Sequence, residues 1–434
     1  MAPEHDMRDT TAVWSFQKRL GFLILALFLV QNAAPLVAWV VPVLGRAVLL
    51  PAWQAAWNAV VPWVGEHVLR LAEPITILPN GSGDTTWNYV QMFTMAAISV
   101  IVGGAWALVD RERRDHATFN HWLKVLVRHA LAASMFLYGL VKVFKSQFSF
   151  PSLYTLTQTY GDSSPMGLAW NFMGYSDGYT IFAGCAEVLA GALLLARRTT
   201  TLGALVSVGV LANIAAMNFC YDIPVKLFSS TLLLMAVYLL GTDLRRFVDL
   251  LILNRPVTPA DLRPHFTHRG PRRLRVAIKA MFLLGMLEIA AVAVYLRHHY
   301  GDAAPTPPLY GLYNVSTFTV GATPRPPLTT DTDRWRRFIV ERHGLGVIRT
   351  MDDKPHFFRL ETDTTAHTLT LTGGPPDARV QLQLTYDQPT PETLVLRGEL
   401  PDGPTVITLD RVDPKSFILV SRGFHWVNEY PFYR

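Results

Sequence analysis

Residues 123–144 read LKVLVRHALAASMFLYGLVKVF, an apolar run with only a few polar side chains. About 20 predominantly apolar residues are needed to cross the hydrocarbon core of a bilayer as a helix. Working outward from this run, comparable stretches occur at 20–41, 90–109, 179–196, 202–219, 225–240 and 276–296. The sequence therefore predicts about seven transmembrane helices, which together form a membrane all-α bundle.

The composition excludes several classes of protein. Of the 434 residues, 50% are hydrophobic and 17% are charged, whereas a soluble domain carries about 25% charged residues. The two cysteines, Cys185 and Cys220, cannot build a disulfide scaffold or a four-cysteine zinc site. The sequence contains no GxGxxG, GxxxxGK[ST], HExxH or CxxC motif. We therefore expect neither a purely soluble enzyme nor a metal centre.

The net charge of +6 is unevenly distributed along the chain. From Gly301 onward there are 14 basic and 16 acidic residues, so the whole basic excess belongs to the apolar part. Basic loops are typical of the cytoplasmic side of a membrane protein and need no polyanionic partner. No stripe of basic and aromatic residues accompanies the charge, so we expect the lipid bilayer, and no nucleic acid, as a partner.

The basic residues of the loops predict the orientation of the helices. Lys18 and Arg19 precede the first span, and eight arginines lie in the stretch 245–275 after the sixth. The loops after the second and fourth spans are basic as well, with Arg111, Arg113, Arg114, Arg197 and Arg198. Because basic loops stay in the cytoplasm, the sequence predicts an inner-membrane protein with a cytoplasmic N-terminus and a periplasmic C-terminal domain.

This orientation predicts the result of reporter fusions. Alkaline phosphatase, which is active only outside the cytoplasm, should be active when fused after Arg434 and inactive when fused after Arg198. Phosphatase activity in colonies and membrane fractions measures both fusions. The reverse pattern would overturn the orientation of every span.

Two stretches before the second span, residues 20–34 and 44–71, can each be interpreted in two ways. Residues 20–34 resemble the apolar region of a cleaved signal peptide, but the apolar character continues through 36–43 and favours an uncleaved helix. Residues 44–71, with Trp53, Trp57 and Trp63, suit either an interfacial helix at the outer headgroups or a half-buried helix packed over the bundle.

The periodicity changes after His298. Short runs alternate apolar and polar residues at 335–340, 357–361, 368–372, 380–386, 393–400, 405–409 and 417–421. Turn-forming residues separate them at 351–354, 373–376, 388–391, 401–403 and 413–415. About eight strands at this spacing, with no helix between them, predict a small all-β antiparallel barrel or sandwich.

The last 14 residues, SRGFHWVNEYPFYR, are dense in aromatic and functional side chains. They are interpreted as a final strand plus a tail whose rings cover an open end of the barrel, because aromatic rings carry a large packing area. The alternative is that they line a ligand site facing the bundle, with four candidate binding residues: Arg422, His425, Asn428 and Glu429.

Ionisable groups inside apolar spans are costly and commonly functional. Glu187 lies well inside the fourth span, so its carboxylate needs a partner or a proton, and Lys142 on the third span is the candidate. We treat this pair as the candidate catalytic pair. Further candidate binding residues on or beside the spans are Arg128, Tyr138, Tyr221, Asp222 and Lys226.

Each of these positions also has a structural interpretation. Asp222 before Pro224 suits a helix N-cap, and Asp222 with Lys226 suits an i, i+4 ion pair. Lys142 and Lys145 could extend to the headgroups. Glu187 could make a helix-to-helix bond without catalysis.

Residues 128–240 resemble the four-helix DoxX family of integral membrane proteins. The resemblance rests on LYGLVK at 137–142 and EVLAGALLL at 187–195 with the two arginines that follow, and its matching positions are Arg128, Gly139, Lys142, Glu187 and Gly191. It implies a four-helix core and an association with respiratory oxidoreduction, since founding members are subunits of a thiosulfate:quinone oxidoreductase. This chain departs from the pattern by extra spans, the insert 146–176 and the β region.

The sequence thus predicts five regions. These are N-terminal transmembrane helices with an outer interfacial helix (1–121), the DoxX-like bundle (122–241), a basic cytoplasmic loop (242–275), a last span (276–299) and a β domain (300–434). The leading functional hypothesis is a component of a membrane oxidoreductase system that uses a quinone or small reductant at the outer face, together with partner subunits. The alternative is a non-catalytic scaffold whose periplasmic β domain binds a lipid, a peptide or a partner protein.

Overall fold

The computed structural model describes residues 13–41, 44–77, 80–113, 115–257, 269–373 and 379–433. The chain divides into two compact units, a helical unit of Met1–Gln147 with Pro165–Tyr295 and a β unit of Phe148–Ser164 with Leu296–Arg434. The predicted fold class, a membrane-type helical bundle followed by an antiparallel β barrel, is confirmed.

Twelve α-helices are found in the described residues. They are α1 (Phe16–Val40), α2 (Leu50–His67), α3 (Thr86–Val109), α4 (Ala117–Val143), α5 (Leu153–Thr157), α6 (Pro165–Tyr175), α7 (Asp177–Leu195), α8 (Thr200–Cys220), α9 (Lys226–Gly241), α10 (Leu244–Leu251), α11 (Arg269–Tyr300) and α12 (Ile418–Ser421). Within those residues, six helices are long and apolar enough to cross a membrane: α1, α3, α4, α7, α8 and α11. The pair α9 and α10, bent by 72°, makes a seventh if it counts as one span.

Four helices close a ring at the centre of the helical unit. α4 packs on α7, α7 on α8, α8 on α9, and α9 returns to α4. The core of the unit is built from side chains of these helices and of α1 and α11, such as Leu131, Met135, Leu194 and Met235, which are all fully or almost fully buried. α1 belongs to this core through Leu29, so the first span is an integral part of the bundle.

α2 packs one face over the bundle. Trp57, Val61 and Val64 are buried against Trp87 and Val90 at the start of α3. The opposite face of α2 is exposed, so the packing corresponds to the half-buried alternative of the two that the sequence leaves open. The apolar spacing of i, i+4 and i+7 along α2 explains why a single face is buried.

In the part of the chain that the structure describes, nine strands form one antiparallel sheet. They are β1 (Gly311–Val320), β2 (Thr323–Pro324), β3 (Trp335–Val340), β4 (Leu345–Thr350), β5 (Pro355–Asp363), β6 (Thr368–Gly373), β7 (Val380–Thr390), β8 (Thr393–Leu400) and β9 (Gly403–Val412). Sequential strands pair from β3 to β9, β3 pairs with β1, and β1 also pairs with β9. The eight strands other than β2 therefore close a barrel.

Alternate residues of each strand fill the barrel. Phe338, Val340 and Ile348 point inward, together with Tyr313 and Leu409, and all are buried. Three of the strands, β1, β2 and β4, are not among the runs predicted from the sequence. β1 lies between two proline-rich connectors, and β4 follows directly on a turn in which His343 and Gly344 have φ of 62° and 70°.

The outer face of the barrel is covered by the insert between α4 and α6. Leu153 of α5 packs on Leu312, Ile339 and Val347, the outward-facing residues of β1, β3 and β4. Polar bonds fix the insert: Tyr154 N donates to Glu341 Oε1 at 2.7 Å, and Arg349 donates to the Thr157 carbonyl at 2.8 Å. Residues 148–164 are thus part of the β unit although they lie between membrane-type helices in the chain.

The prediction of a final strand at 417–421 is wrong. Asp413 accepts a hydrogen bond from Lys415 N at 2.9 Å and Pro414 follows it, which starts a helical turn at Pro414–Ser416, and α12 comes next. The barrel is already closed by the pairing of β1 with β9, so no free edge remains for another strand. The turn predicted at 373–376 lies largely outside the described residues.

The closure by β1 predicts which fragments fold. A fragment 323–434 lacks β1, which pairs with β3 and β9, and should not unfold cooperatively. A fragment 302–434 should be β-rich, and a peptide of residues 148–164 should raise its melting temperature because it covers Leu312, Ile339 and Val347. Far-UV circular dichroism during heating measures both. Cooperative melting of the shorter fragment would contradict the closed barrel.

Candidate functional site

The candidate site is built on a close approach of α4 and α7. A Cβ added to Gly184 would lie 2.7 Å from the Gly139 carbonyl oxygen and 2.8 Å from Lys142 Cβ, and one added to Gly139 would lie 2.8 Å from Val188 Cγ2. These separations are too short for any side chain, so the two glycines let the helix backbones touch. Gly191, one turn from Glu187, packs in the same way on Phe136.

Lys142 and Glu187 meet where the two helices touch. Lys142 Nζ lies 2.9 Å from Glu187 Oε1, and the side chains are 8% and 3% exposed. The predicted contact between the two residues is confirmed, and it is a buried ion pair. Glu187 stands three residues after Gly184 and Lys142 three residues after Gly139, so both charged residues share a helix face with a glycine.

Two aromatic rings lie beside this pair. Lys142 Nζ is 5.7 Å from the ring centroid of Tyr138 and 3.4 Å from the Tyr138 carbonyl oxygen. The Tyr138 ring in turn contacts Phe228 of α9, with centroids 5.7 Å apart. The structure therefore brings together three of the predicted residues, Tyr138, Lys142 and Glu187, in one cluster that reaches three helices.

Arg128 does not belong to this cluster. It lies 14 residues before Lys142 on α4, a rise of about 21 Å along the helix axis. Its guanidinium is buried and donates to Thr200 Oγ1 at 3.4 Å, which ties α4 to the start of α8. Arg128 therefore lies toward the other end of the four-helix ring and links α4 to α8 there.

Asp222 and Lys226 form the predicted ion pair, with Lys226 Nζ 2.9 Å from Asp222 Oδ1. The prediction that Asp222 caps the next helix is wrong, because Asp222 has a left-handed φ of 50° and α9 begins only at Lys226. Asp84, from the loop before α3, supplies the cap: its carboxylate accepts from Lys226 N at 2.7 Å and Leu227 N at 3.0 Å. Tyr221 is the C-cap residue that follows α8, and it is exposed.

Replacing Asp84, which caps α9, should lower the stability of the protein more than replacing Asp222, the cap predicted from the sequence. The Asp84 side chain is 7% exposed and satisfies two backbone N–H groups, whereas Asp222 is 85% exposed. We expect Asp84→Ala to destabilise the protein by about 1–2 kcal/mol and Asp222→Ala by less than about 1 kcal/mol. Thermal unfolding in detergent compares the two variants. Equal losses would contradict the assignment of the cap.

The C-terminal residues 421–433 follow α12 as an exposed segment. Arg422 donates to Asn428 Oδ1 at 2.6 Å and its guanidinium lies 4.1 Å from the Phe432 ring centroid, while Asn428 donates to the His425 carbonyl at 3.3 Å. Glu429 makes no ion pair or hydrogen bond with any described residue. The expectation that the rings cover the barrel end is wrong, because Phe424, Trp426 and Tyr430 are 77%, 91% and 84% exposed.

The sequence analysis does not predict the pair of Arg46 and Glu288. Glu288 lies within the span of α11, and both of its oxygens accept from Arg46, at 2.5 and 2.7 Å. Arg46 lies in the π-helical turn Leu44–Leu49 before α2 and also donates to the Trp39 carbonyl at 2.8 Å. A carboxylate in the last span was the available signal, by the same reasoning that singled out Glu187.

Within the described residues, no group of three or more His, Cys, Asp or Glu side chains is arranged to hold a metal ion. Cys185 and Cys220 are both free and exposed. Among the ion pairs of the described part of the helical unit, Lys142 with Glu187 is the most deeply buried.

The fold and the site define a multi-pass membrane protein with an appended antiparallel β barrel. No family model and no solved structure matches the chain. It is 38% identical over 122 residues to the uncharacterized protein YwoB of Bacillus subtilis (strain 168), and the match covers 28% of this chain and 76% of that protein. The chain belongs to the same family as YwoB.

Proposed function

We propose that this protein is a DoxX-like component of an inner-membrane oxidoreductase system that uses a quinone or a small reductant. The observation that carries the proposal is the buried pair of Lys142 and Glu187 at the contact of α4 and α7. Four of the five residues of the DoxX resemblance, Gly139, Lys142, Glu187 and Gly191, lie along this one contact. Because the residues of the resemblance cluster at one buried ion pair, we infer that this chain has the same site as DoxX proteins.

The chemistry of the pair suits proton transfer. Reduction of a quinone to a quinol takes up two electrons and two protons, and an ammonium paired with a carboxylate is a group from which a proton can be delivered inside a low-dielectric bundle. In this proposal the electrons come from a reductant that a partner subunit oxidises. The protein's own part is to hold the quinone ring and to move protons.

The rings of Tyr138 and Phe228 support this assignment. They contact each other beside the ion pair, with centroids 5.7 Å apart. Aromatic faces favour offset or edge contacts with another flat ring, and a quinone headgroup is such a ring. We therefore assign Tyr138 to binding and Lys142 with Glu187 to proton handling.

The proposed site is at the periplasmic side. Basic loops favour a cytoplasmic N-terminus. With the bent pair α9 and α10 counted as a seventh span, the chain would then reach the periplasm before the barrel begins. α4 then runs outward, and Lys142, in its last turn, lies near the outer end.

Quinone bound to the purified protein tests the proposal. The protein, extracted from native membranes in mild detergent, should retain near-stoichiometric quinone by solvent extraction and mass spectrometry. Tyr138→Ala should lower the bound amount at least fivefold, whereas Tyr89→Ala, an exposed tyrosine of α3, should not change it. Absence of quinone from the wild type, or equal loss in both variants, would count against the proposal.

A second candidate function rests on the exposed C-terminal residues. Trp426, Tyr430 and Tyr433 are 91%, 84% and 96% exposed, and exposed aromatic clusters mark interaction surfaces. The protein would then be a membrane-anchored scaffold whose barrel presents this segment to a lipid, a peptide or a partner protein. Crosslinking in intact cells from a photoreactive residue at position 426, compared with position 361 on β5, would detect such a partner.

A further inference from the structure

A second polar site lies away from the ion pair, between α1, α2 and α3. A groove of about 530 Å³ is lined there by side-chain amides of Gln31, Asn32, Gln54, Asn88 and Gln91, and its wall includes the rings of Trp53 and Trp87. We call it the amide groove. Its volume is in the range of about 300–1,000 Å³ that is usual for ligand sites.

Amide side chains inside spans need hydrogen-bond partners, and Asn32 has one in the Phe28 carbonyl at 2.9 Å. Gln31 and Asn32 lie within α1, and Gln91 lies within α3, both of which are long and apolar enough to cross a membrane. A polar group without a compensating hydrogen bond is strongly disfavoured in an apolar medium. Gln91 has no hydrogen-bond partner in the described part of the chain, so a polar ligand in the groove would satisfy it.

The backbone adds a further acceptor to the groove. Pro35 lies inside α1 and has no N–H, so the carbonyl of Gln31, four residues earlier, lacks its helical partner. The Gln31 side chain itself is held, with Nε2 donating to Ser99 Oγ at 2.9 Å and to the Met95 carbonyl at 3.1 Å. The wall also contains an unused donor: Trp87 is buried, and its indole N–H finds no partner among the described residues.

The charge of the groove selects the class of ligand. Arg46 is the one charged residue in the described wall, and both Glu288 oxygens neutralise it, at 2.5 and 2.7 Å. Amides offer both donors and acceptors, which match hydroxyl groups, and indole rings pack on apolar ring faces. We propose that the amide groove binds a neutral, polyhydroxylated headgroup, namely the sugar of a glycolipid or a free sugar.

Lipid binding by the full chain in nanodiscs tests this proposal. Native mass spectrometry should detect diglucosyl diacylglycerol bound in preference to phosphatidylcholine and phosphatidylglycerol. Gln91→Leu and Gln54→Leu should each weaken that binding about three- to tenfold, the range expected for one lost hydrogen bond. Gln17→Leu, on an exposed position of α1 outside the groove, should leave it unchanged.

Further measurements distinguish a glycolipid from a free sugar and define the results that would overturn the proposal. Competition by free glucose or maltose would identify a free sugar as the ligand, and its absence would identify the glycolipid. A preference for phosphatidylglycerol, or equal binding of all three lipids, would overturn the proposal. Unchanged binding in both Gln54→Leu and Gln91→Leu, with wild-type melting temperatures confirming that they fold, would overturn it as well.

Discussion

Glu187→Gln should destabilise the protein by about 3–5 kcal/mol, because it leaves the ammonium of Lys142 buried without its counter-charge. Lys142→Met should cost a similar amount by stranding the carboxylate. The double variant with both changes should be less destabilised than the sum of the two, by up to about 3 kcal/mol, because neither charge is then left alone. Reversible unfolding in mixed detergent micelles gives the free energy of unfolding for each variant.

A matched control uses a carboxylate that is paired but exposed. Asp222→Asn removes an ion pair of the same 2.9 Å length, but the Asp222 side chain is 85% exposed. Its loss should therefore be below about 1 kcal/mol. Additive effects of the Glu187 and Lys142 changes would mean that the two side chains do not interact in the membrane, and the candidate site would lose its basis.

Gly184→Val should prevent α4 and α7 from packing. Even the first carbon of a side chain at Gly184 would lie 2.7 Å from the Gly139 carbonyl oxygen and 2.9 Å from Val143 N, and neither backbone atom can move alone. We expect a loss of about 3 kcal/mol or more for Gly184→Val and of about 1–3 kcal/mol for Gly184→Ala. The yield of folded protein in detergent and its melting temperature measure both variants.

Gly209→Ala is the control for the helix backbone. Gly209 lies in the middle of α8 with nothing within 4 Å of an added Cβ. Alanine there should be neutral or stabilising by up to about 1 kcal/mol, because it has the higher helix propensity. If Gly184→Ala behaved like Gly209→Ala, the helices would not touch at Gly184, and the ion pair could not be held as described.

The sequence predicts the pair of Lys142 and Glu187 because each is an ionisable residue inside an apolar span, where an unpaired charge is energetically costly. A carboxylate and an ammonium inside apolar spans stand out against their surroundings, and each needs the other. Glu288 is also a carboxylate inside an apolar span. Its partner Arg46 lies 242 residues away in the chain, so the sequence does not indicate the pairing. The Asp84 cap could not be predicted in this manner, because it caps a helix that begins 142 residues later.

The sequence predicts the strands that have a clear pattern of apolar and polar residues. It does not predict the segments whose structure depends on a turn or on packing against the barrel. β3 and β8 have the predicted bounds, and in β8 the buried residues Leu394 and Leu396 alternate with less buried neighbours. Residues 148–164 carry no strand or long helix pattern, and only the apolar outer faces of β1, β3 and β4 show why Leu153 packs there. The end of the barrel at β9 depends on closure by β1, which local periodicity cannot reveal.

The most direct test of proton handling at Glu187 is redox-induced infrared difference spectroscopy on the reconstituted protein with a bound quinone. Reduction of the quinone should shift the carboxylate stretching band of Glu187 in the wild type, because the proton is delivered from the Lys142 ammonium paired with it. That band should be absent in the double variant Glu187→Gln with Lys142→Met, which retains more stability than the single variants together would predict. An identical carboxylate band in the double variant, or no carboxylate shift in the wild type, would contradict the proposed role.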